Sequence, residues 1–113
     1  MIDRQQFNEN LLCYGKDLVV EVIDIFLDSY DERFKNLRSN VADRDFVNLK
    51  FNAHSIKGVI ANFWDPVTTE QSRRLDEMVT NKVENGLEKA LEDLEHSTAL
   101  LIEELKKMKK QFS

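Results

Sequence analysis

Cysteine, proline and glycine are all scarce in this chain, which has one, one and three of them. A single cysteine, Cys13, excludes an intrachain disulfide and suits a reducing compartment. Free cysteine packs as a small apolar residue, so Cys13 is expected to be buried. With so few glycines and prolines, little interrupts regular structure. No apolar run approaches the ~18 residues of a membrane span, so no direct membrane insertion is expected. The opening stretch MIDRQQFNEN lacks the apolar core of a secretory signal, and the expected location is the cytoplasm. Basic residues are outnumbered, 16 against 21 acidic, giving a net charge of −5. That argues against a broad nucleic-acid-binding face. Two histidines and no HExxH spacing make a poor ligand set for a metal-dependent enzyme.

Apolar residues make up 42% of the 113 positions, enough for one folded domain over residues 1–113. They repeat at three- and four-residue steps, and no alternating run long enough for a strand is present. Asp3 and Gln6 have capping-box spacing for a short first helix ending before Tyr14-Gly15. Asp17 is expected to cap a long second helix with Val19, Val22 or Ile23, Phe26, Tyr30, Phe34, Leu37 and Val41 inside. A turn is expected over Ser39 to Arg44. Asp45 suits the N-cap of a third helix, whose stripe is Phe46, Leu49, Ala53, Ile56, Ile60 and Phe63. Asp65-Pro66 restarts the chain into a fourth helix with a sparse face of Val67, Leu75 and Met78 or Val79. Asn85-Gly86 breaks it again. The last helix presents Leu87, Leu91, Leu94, Thr98, Leu101, Leu105 and Met108. Its closing KKMKK complements the negative end of the helix dipole. The fold class expected is all-α: an antiparallel up-down four-helix bundle with an additional short N-terminal helix.

The third helix has an unusual outer side. At about 100° per residue, its stripe centres roughly 130° from His54 and roughly 70° from Lys57. His54 is therefore expected in solvent, with Lys57 on the flank between core and surface. Val47, Phe51 and Ala61 share the outward side, where an ordinary surface helix carries charge. An apolar collar around a histidine is a candidate contact surface. The alternative is that the first helix folds over Val47 and Phe51. Gly58, one turn from His54, weakens a helix by about 1 kcal/mol relative to alanine, and its missing side chain would clear an approach to the imidazole. Neutral imidazole is a nucleophile near physiological pH, and phosphoryl transfer needs chiefly positioning and charge stabilisation. Lys57 can meet phosphoryl oxygens. His96 has no such neighbours and reads as an ordinary surface histidine.

HSIKG, residues 54 to 58, resembles the H-x-L-K-G signature of histidine-containing phosphotransfer (HPt) domains, with Ile56 in the leucine position. Asp45 stands nine residues before His54, as in many members, and Asn62-Phe63 fills the family's N-L pair. VVEVIDIFLDSYDERFKNL looks like the family's long second helix with its central Phe, and Leu75-Asp76 resembles the L-E pair of the following helix. Two features depart from the pattern. Trp64 stands where the family usually has glycine, so the helix exit is expected to differ, with Asp65-Pro66 as the stop. Thr68 and Gln71 stand where apolar residues are usual.

The resemblance implies a phosphocarrier of a multistep two-component phosphorelay. His54 would accept a phosphoryl group from a receiver-domain aspartyl phosphate, through Nε2, and pass it to another receiver. Lys57 would stabilise the phosphoryl oxygens and Gly58 give clearance. Val47, Phe51 and Ala61 would form the docking surface, joined by residues near Asp31 from an antiparallel second helix. Such a domain is not itself an enzyme and has no intrinsic cofactor; the divalent metal belongs to the receiver. Expected partners are response-regulator receiver domains and a hybrid sensor histidine kinase, with the protein a monomer. The starting Met and short length lean toward a free-standing protein. The competing reading is a helical bundle that has lost phosphotransfer and only binds a partner.

Overall fold

A computed structural model describes residues 1–112, and every regular element in them is helical. Five α-helices follow in order: α1 Arg4–Asn10, α2 Lys16–Ala42, α3 Phe46–Ala61, α4 Pro66–Thr80 and α5 Leu87–Phe112. A single 3-10 turn, Leu12–Tyr14, links α1 to α2. The helices pack in a ring, with α2 and α4 each lying against both α3 and α5. Paired residues on α2 and α3 run in opposite order, Arg33 with Ser55 and Asn40 with Asn52. The same holds for α2 and α5, where Asp24 meets Lys109 and Arg38 meets Glu95.

The helix starts follow local chemistry. Asp3, Asp45 and Asp65 each accept a hydrogen bond from a backbone N–H three residues on, which satisfies one of the orphan donors of a first turn. Only half of the expected capping box forms at α1. The Asp3 N–H donates instead to the Trp64 carbonyl at 2.7 Å, tying the N-terminal segment to the α3–α4 connection. Ile2, Phe7 and Leu11 bury their side chains there, so α1 closes one end of the bundle.

Three expectations about helix ends and faces are corrected. Asp17 does not cap α2: Gly15 does, at φ 110, and Asp17 lies inside the first turn, where its charge suits the helix dipole. The left-handed φ lets the chain leave the 3-10 turn directly into a helix, a conformation glycine accepts at no steric cost. The α2 helix runs through Ser39 to Ala42, because burial of Val41 extends its apolar stripe. The turn is confined to Asp43, Arg44 and Asp45, with Arg44 at φ 51. In α4, Val67 points outward and the inward face is Thr68, Ser72, Leu75 and Val79. Asp65 and Pro66 set the phase of this helix, and its buried hydroxyls find carbonyls. Ser72 donates to Thr69 O at 2.8 Å, and across the interface Thr98 donates to Leu94 O at 2.7 Å. A hydroxyl satisfied within its own helix can be buried without the cost of an unmade hydrogen bond.

Elsewhere the apolar pattern holds. Leu49, Ala53, Ile56, Ile60 and Phe63 of the α3 stripe are buried, with Phe46 half-buried at the end. Every expected core position of α5 is buried. Phe26 of α2 stacks on Phe63 with ring centroids 5.3 Å apart, joining the middle of α2 to the end of α3. Cys13 is exposed, contrary to expectation. Leu11 turns into the core and Leu12 packs partly against it, leaving the next position of this tight turn outside.

Candidate functional site

The α3 helix is held on one side by four buried side chains, Leu49, Ala53, Ile56 and Ile60, so its opposite side is fixed in solvent. His54 has 74% of its side chain exposed. Val47 and Phe51 precede it at 82% and 73% exposed, and no part of α1 covers them. The alternative in which α1 folds over these two residues is therefore overturned: α1 is occupied at the far end of α3, against Trp64. Val47, Lys50, Phe51, His54 and Ser55 line one shallow, mostly apolar groove. Gly58 is exposed one turn after His54, and Ala61 is exposed two turns after it.

Lys57 lies half-buried on the α4 side of His54. Its ammonium donates to Asp76 Oδ2 at 2.7 Å. The same oxygen stands 3.7 Å from His54 Nδ1, an ion-pair separation but longer than a hydrogen bond. Only 14% of the Asp76 side chain is exposed. One carboxylate oxygen thus addresses both the cation and the imidazole. In the sequence Asp76 is marked only by the Leu75-Asp76 resemblance, which gives it no role. Its meeting with Lys57 depends on the phase of α4 against α3, which spacing along one helix does not reveal.

A Cβ added to Gly58 would have nothing within 4 Å. A methyl group there is therefore free, and any obstruction of the imidazole must come from a longer side chain. On the opposite side of His54, Arg33 of α2 reaches across to Ser55. Residues near Asp31 were expected beside His54. Arg33, two positions on from Asp31, faces α3 there, while Asp31 itself lines the α2–α5 groove with Glu95 and Thr98.

The helical ring thus presents the exposed imidazole of His54 beside a half-buried carboxylate. The Hpt domain model matches residues 21–111. The chain belongs to the Hpt domain family. No curated protein and no solved structure gives a significant match. Membership makes histidine phosphotransfer in phosphorelays the activity of this class of domain, with receiver domains as the class of partner. Hpt domains act as phosphocarriers rather than catalysts.

The position after Asn62-Phe63, where the resemblance leads one to expect glycine, has a backbone that suits glycine. Trp64 fills that position at φ 56, in the left-handed region. The backbone takes a turn that glycine favours, with a tryptophan in it, and the next helix starts at Asp65-Pro66 as expected. Such a conformation costs a non-glycine residue roughly 1–2 kcal/mol. The Asp3 hydrogen bond to the Trp64 carbonyl and the cap at Asp65 help to hold it.

Among the described residues, no cluster of three or more His, Cys, Asp or Glu side chains is arranged to hold a metal ion. No helix among them is long and apolar enough to cross a membrane. His96 is exposed on α5 beside Gln71, Lys89 and Asp93, away from His54.

Proposed function

We propose that the chain is a phosphocarrier in a multistep two-component relay, with His54 as its acceptor, on an antiparallel up-down four-helix bundle. The observation that carries this reading is the exposed imidazole of an Hpt domain, with the Lys57–Asp76 pair beside it.

In the transfer step Nε2 attacks the phosphorus of a receiver aspartyl phosphate. The N–P bond forms as the P–O bond breaks, and the aspartate leaves as a carboxylate with the electron pair. For Nε2 to carry the lone pair, the ring proton must sit on Nδ1. Asp76 Oδ2, 3.7 Å from Nδ1, lies on that side of the ring and favours a proton there. The proton remains on Nδ1 throughout, and transfer to a second receiver reverses the same bonds. Asp76 is thus a positioning residue. Lys57, already at the edge of the site, turns its ammonium toward the phosphoryl oxygens. Gly58 leaves room for the receiver's backbone, and Val47, Phe51 and Ala61 give an apolar seat. The divalent metal of the reaction belongs to the receiver.

On this reading the domain is monomeric, works in the cytoplasm, and draws its phosphoryl group from the receiver of a hybrid sensor kinase. Incubation with a phosphorylated receiver and magnesium should label the wild type and leave His54→Gln unlabelled. Labelling that survives in His54→Gln would sink the assignment. A partner that binds wild type and His54→Ala equally, with no transfer to either, would point to a pure interaction module.

A further inference from the structure

Arg33 is a cation held in place without a counter-ion. Its Nε donates to Ser29 Oγ at 3.1 Å and its Nη1 to Ser55 Oγ at 3.0 Å. Ser29 in turn reaches its own helix at the Phe26 carbonyl. Arg33 makes no ion pair with any carboxylate among the described residues. Arg4, Arg38, Arg44 and Arg73 each pair with a glutamate; Arg33 and Arg74 do not, and of these two only Arg33 is fixed by side-chain hydrogen bonds.

The two serines take two of the five guanidinium donors and leave three, among them both on Nη2. Neutral hydroxyls fix the side chain but do not cancel its charge. The fixed fork loses less freedom on binding than a mobile lysine would. Its position is defined as well. Ser55 is the neighbour of His54 and shares the groove with Phe51 and Val47. Arg33 therefore stands on the α2 rim of this groove, with Lys57 and Asp76 across the histidine on the α4 side.

We propose that Arg33 is a docking determinant that receives a carboxylate at the edge of the partner's binding face, bringing an acidic receiver into register over His54. This rests on the phosphocarrier reading and adds the charge the partner must present. A fork with free donors suits bidentate pairing with a planar carboxylate. A charged pair at the rim of an apolar contact governs chiefly the encounter rate and its salt dependence. Arg33 touches no reacting atom in this scheme, so it should discriminate between a protein donor and a small one.

The test uses two phosphodonors on the full chain: potassium phosphoramidate, and those phosphorylated receiver domains of the source organism that label the wild type. Arg33→Gln should lower the second-order rate constant for phosphoryl transfer from the receiver by about tenfold or more relative to its effect on phosphoramidate labelling. The wild-type receiver rate should fall steeply with added salt and that of Arg33→Gln only weakly. Arg33→Lys should keep the salt dependence while losing part of the rate, and its thermal melting should match the wild type closely enough to set misfolding aside. Equal losses with both donors would overturn the proposal, since Arg33 would then act on the phosphoryl group or the fold. An unchanged receiver rate and salt slope would overturn it too. If phosphoramidate labels His54 but no receiver does, the phosphocarrier reading itself falls, and the docking role with it.

Discussion

Lys57 and Asp76 come from different helices and meet at 2.7 Å, directly below the imidazole of His54. The pair is a structural bond between α3 and α4 and at the same time part of the site. Asp76→Asn keeps the shape and removes the charge. A charge-assisted bond in this half-buried setting contributes about 1–2 kcal/mol, so urea unfolding should show a loss of that order. Phosphoryl transfer to His54 should slow, and the NMR signals of the imidazole should show Nδ1–H less favoured over Nε2–H. A normal rate with a normal tautomer would remove Asp76 from the mechanism.

His54 itself supports nothing. With 74% of its side chain in water and no hydrogen bond to hold, it can be replaced without structural cost. Substitutions at such positions usually change stability within about 0.5 kcal/mol. His54→Gln should therefore melt like the wild type while losing all phosphoryl acceptance from a receiver.

Gly58 separates helix stability from access. Because an added Cβ meets nothing, Gly58→Ala should stabilise the fold by about 1 kcal/mol and still be labelled. Gly58→Gln should also fold, yet accept the phosphoryl group more slowly from a receiver. Normal transfer in Gly58→Gln would show that clearance at this position is not needed.

Trp64 stores backbone strain at φ 56. Glycine accepts that conformation freely, whereas a β-branched residue resists it strongly. Trp64→Gly and Trp64→Val both give up the indole, so their difference isolates the backbone. Trp64→Val should be the less stable by about 1–2 kcal/mol in urea unfolding. Equal stabilities would mean that the exit of α3 relaxes into another turn.

At the other end of the bundle, Arg44 bonds Glu88 at 2.6 Å and ties the α2–α3 turn to the first turn of α5. The guanidinium holds the Glu88 carboxyl below its ordinary value of 4.5. A depressed carboxyl contributes stability at pH values above its unfolded pKa, and that contribution disappears as pH falls through the folded one. Glu88→Gln should melt below the wild type at neutral pH, and the two curves should converge as the solution is acidified past the Glu88 titration. Added salt should narrow the gap, since both groups are exposed.

Much of this architecture is legible along the chain. Asp45 and Asp65 mark helix starts because an N-cap is a local bond between a side chain and a backbone three residues on. The stripe from Leu49 to Phe63 is legible because helical periodicity assigns a face, and that face places His54 in solvent. The HSIKG motif, read on that face, points to the same family as the match over residues 21–111. What misleads is chemistry that looks local but is decided by packing. Val67 is apolar yet outward, and Thr68 and Ser72 are polar yet buried, because the start at Asp65-Pro66 sets the phase of α4 and neighbouring carbonyls satisfy the hydroxyls.

The sequence by itself determined the helices, the exposed face of α3 and the order His54, Lys57, Gly58 upon it, since all three depend on spacing within one helix. Only the tertiary structure decided that Asp76 reaches under the imidazole from α4, that Arg33 rather than Asp31 reaches over from α2, and that Trp64 adopts a glycine-like turn. Those outcomes depend on how one helix is rotated and shifted against the next. That is set by the packing of the whole core, and no single segment encodes it.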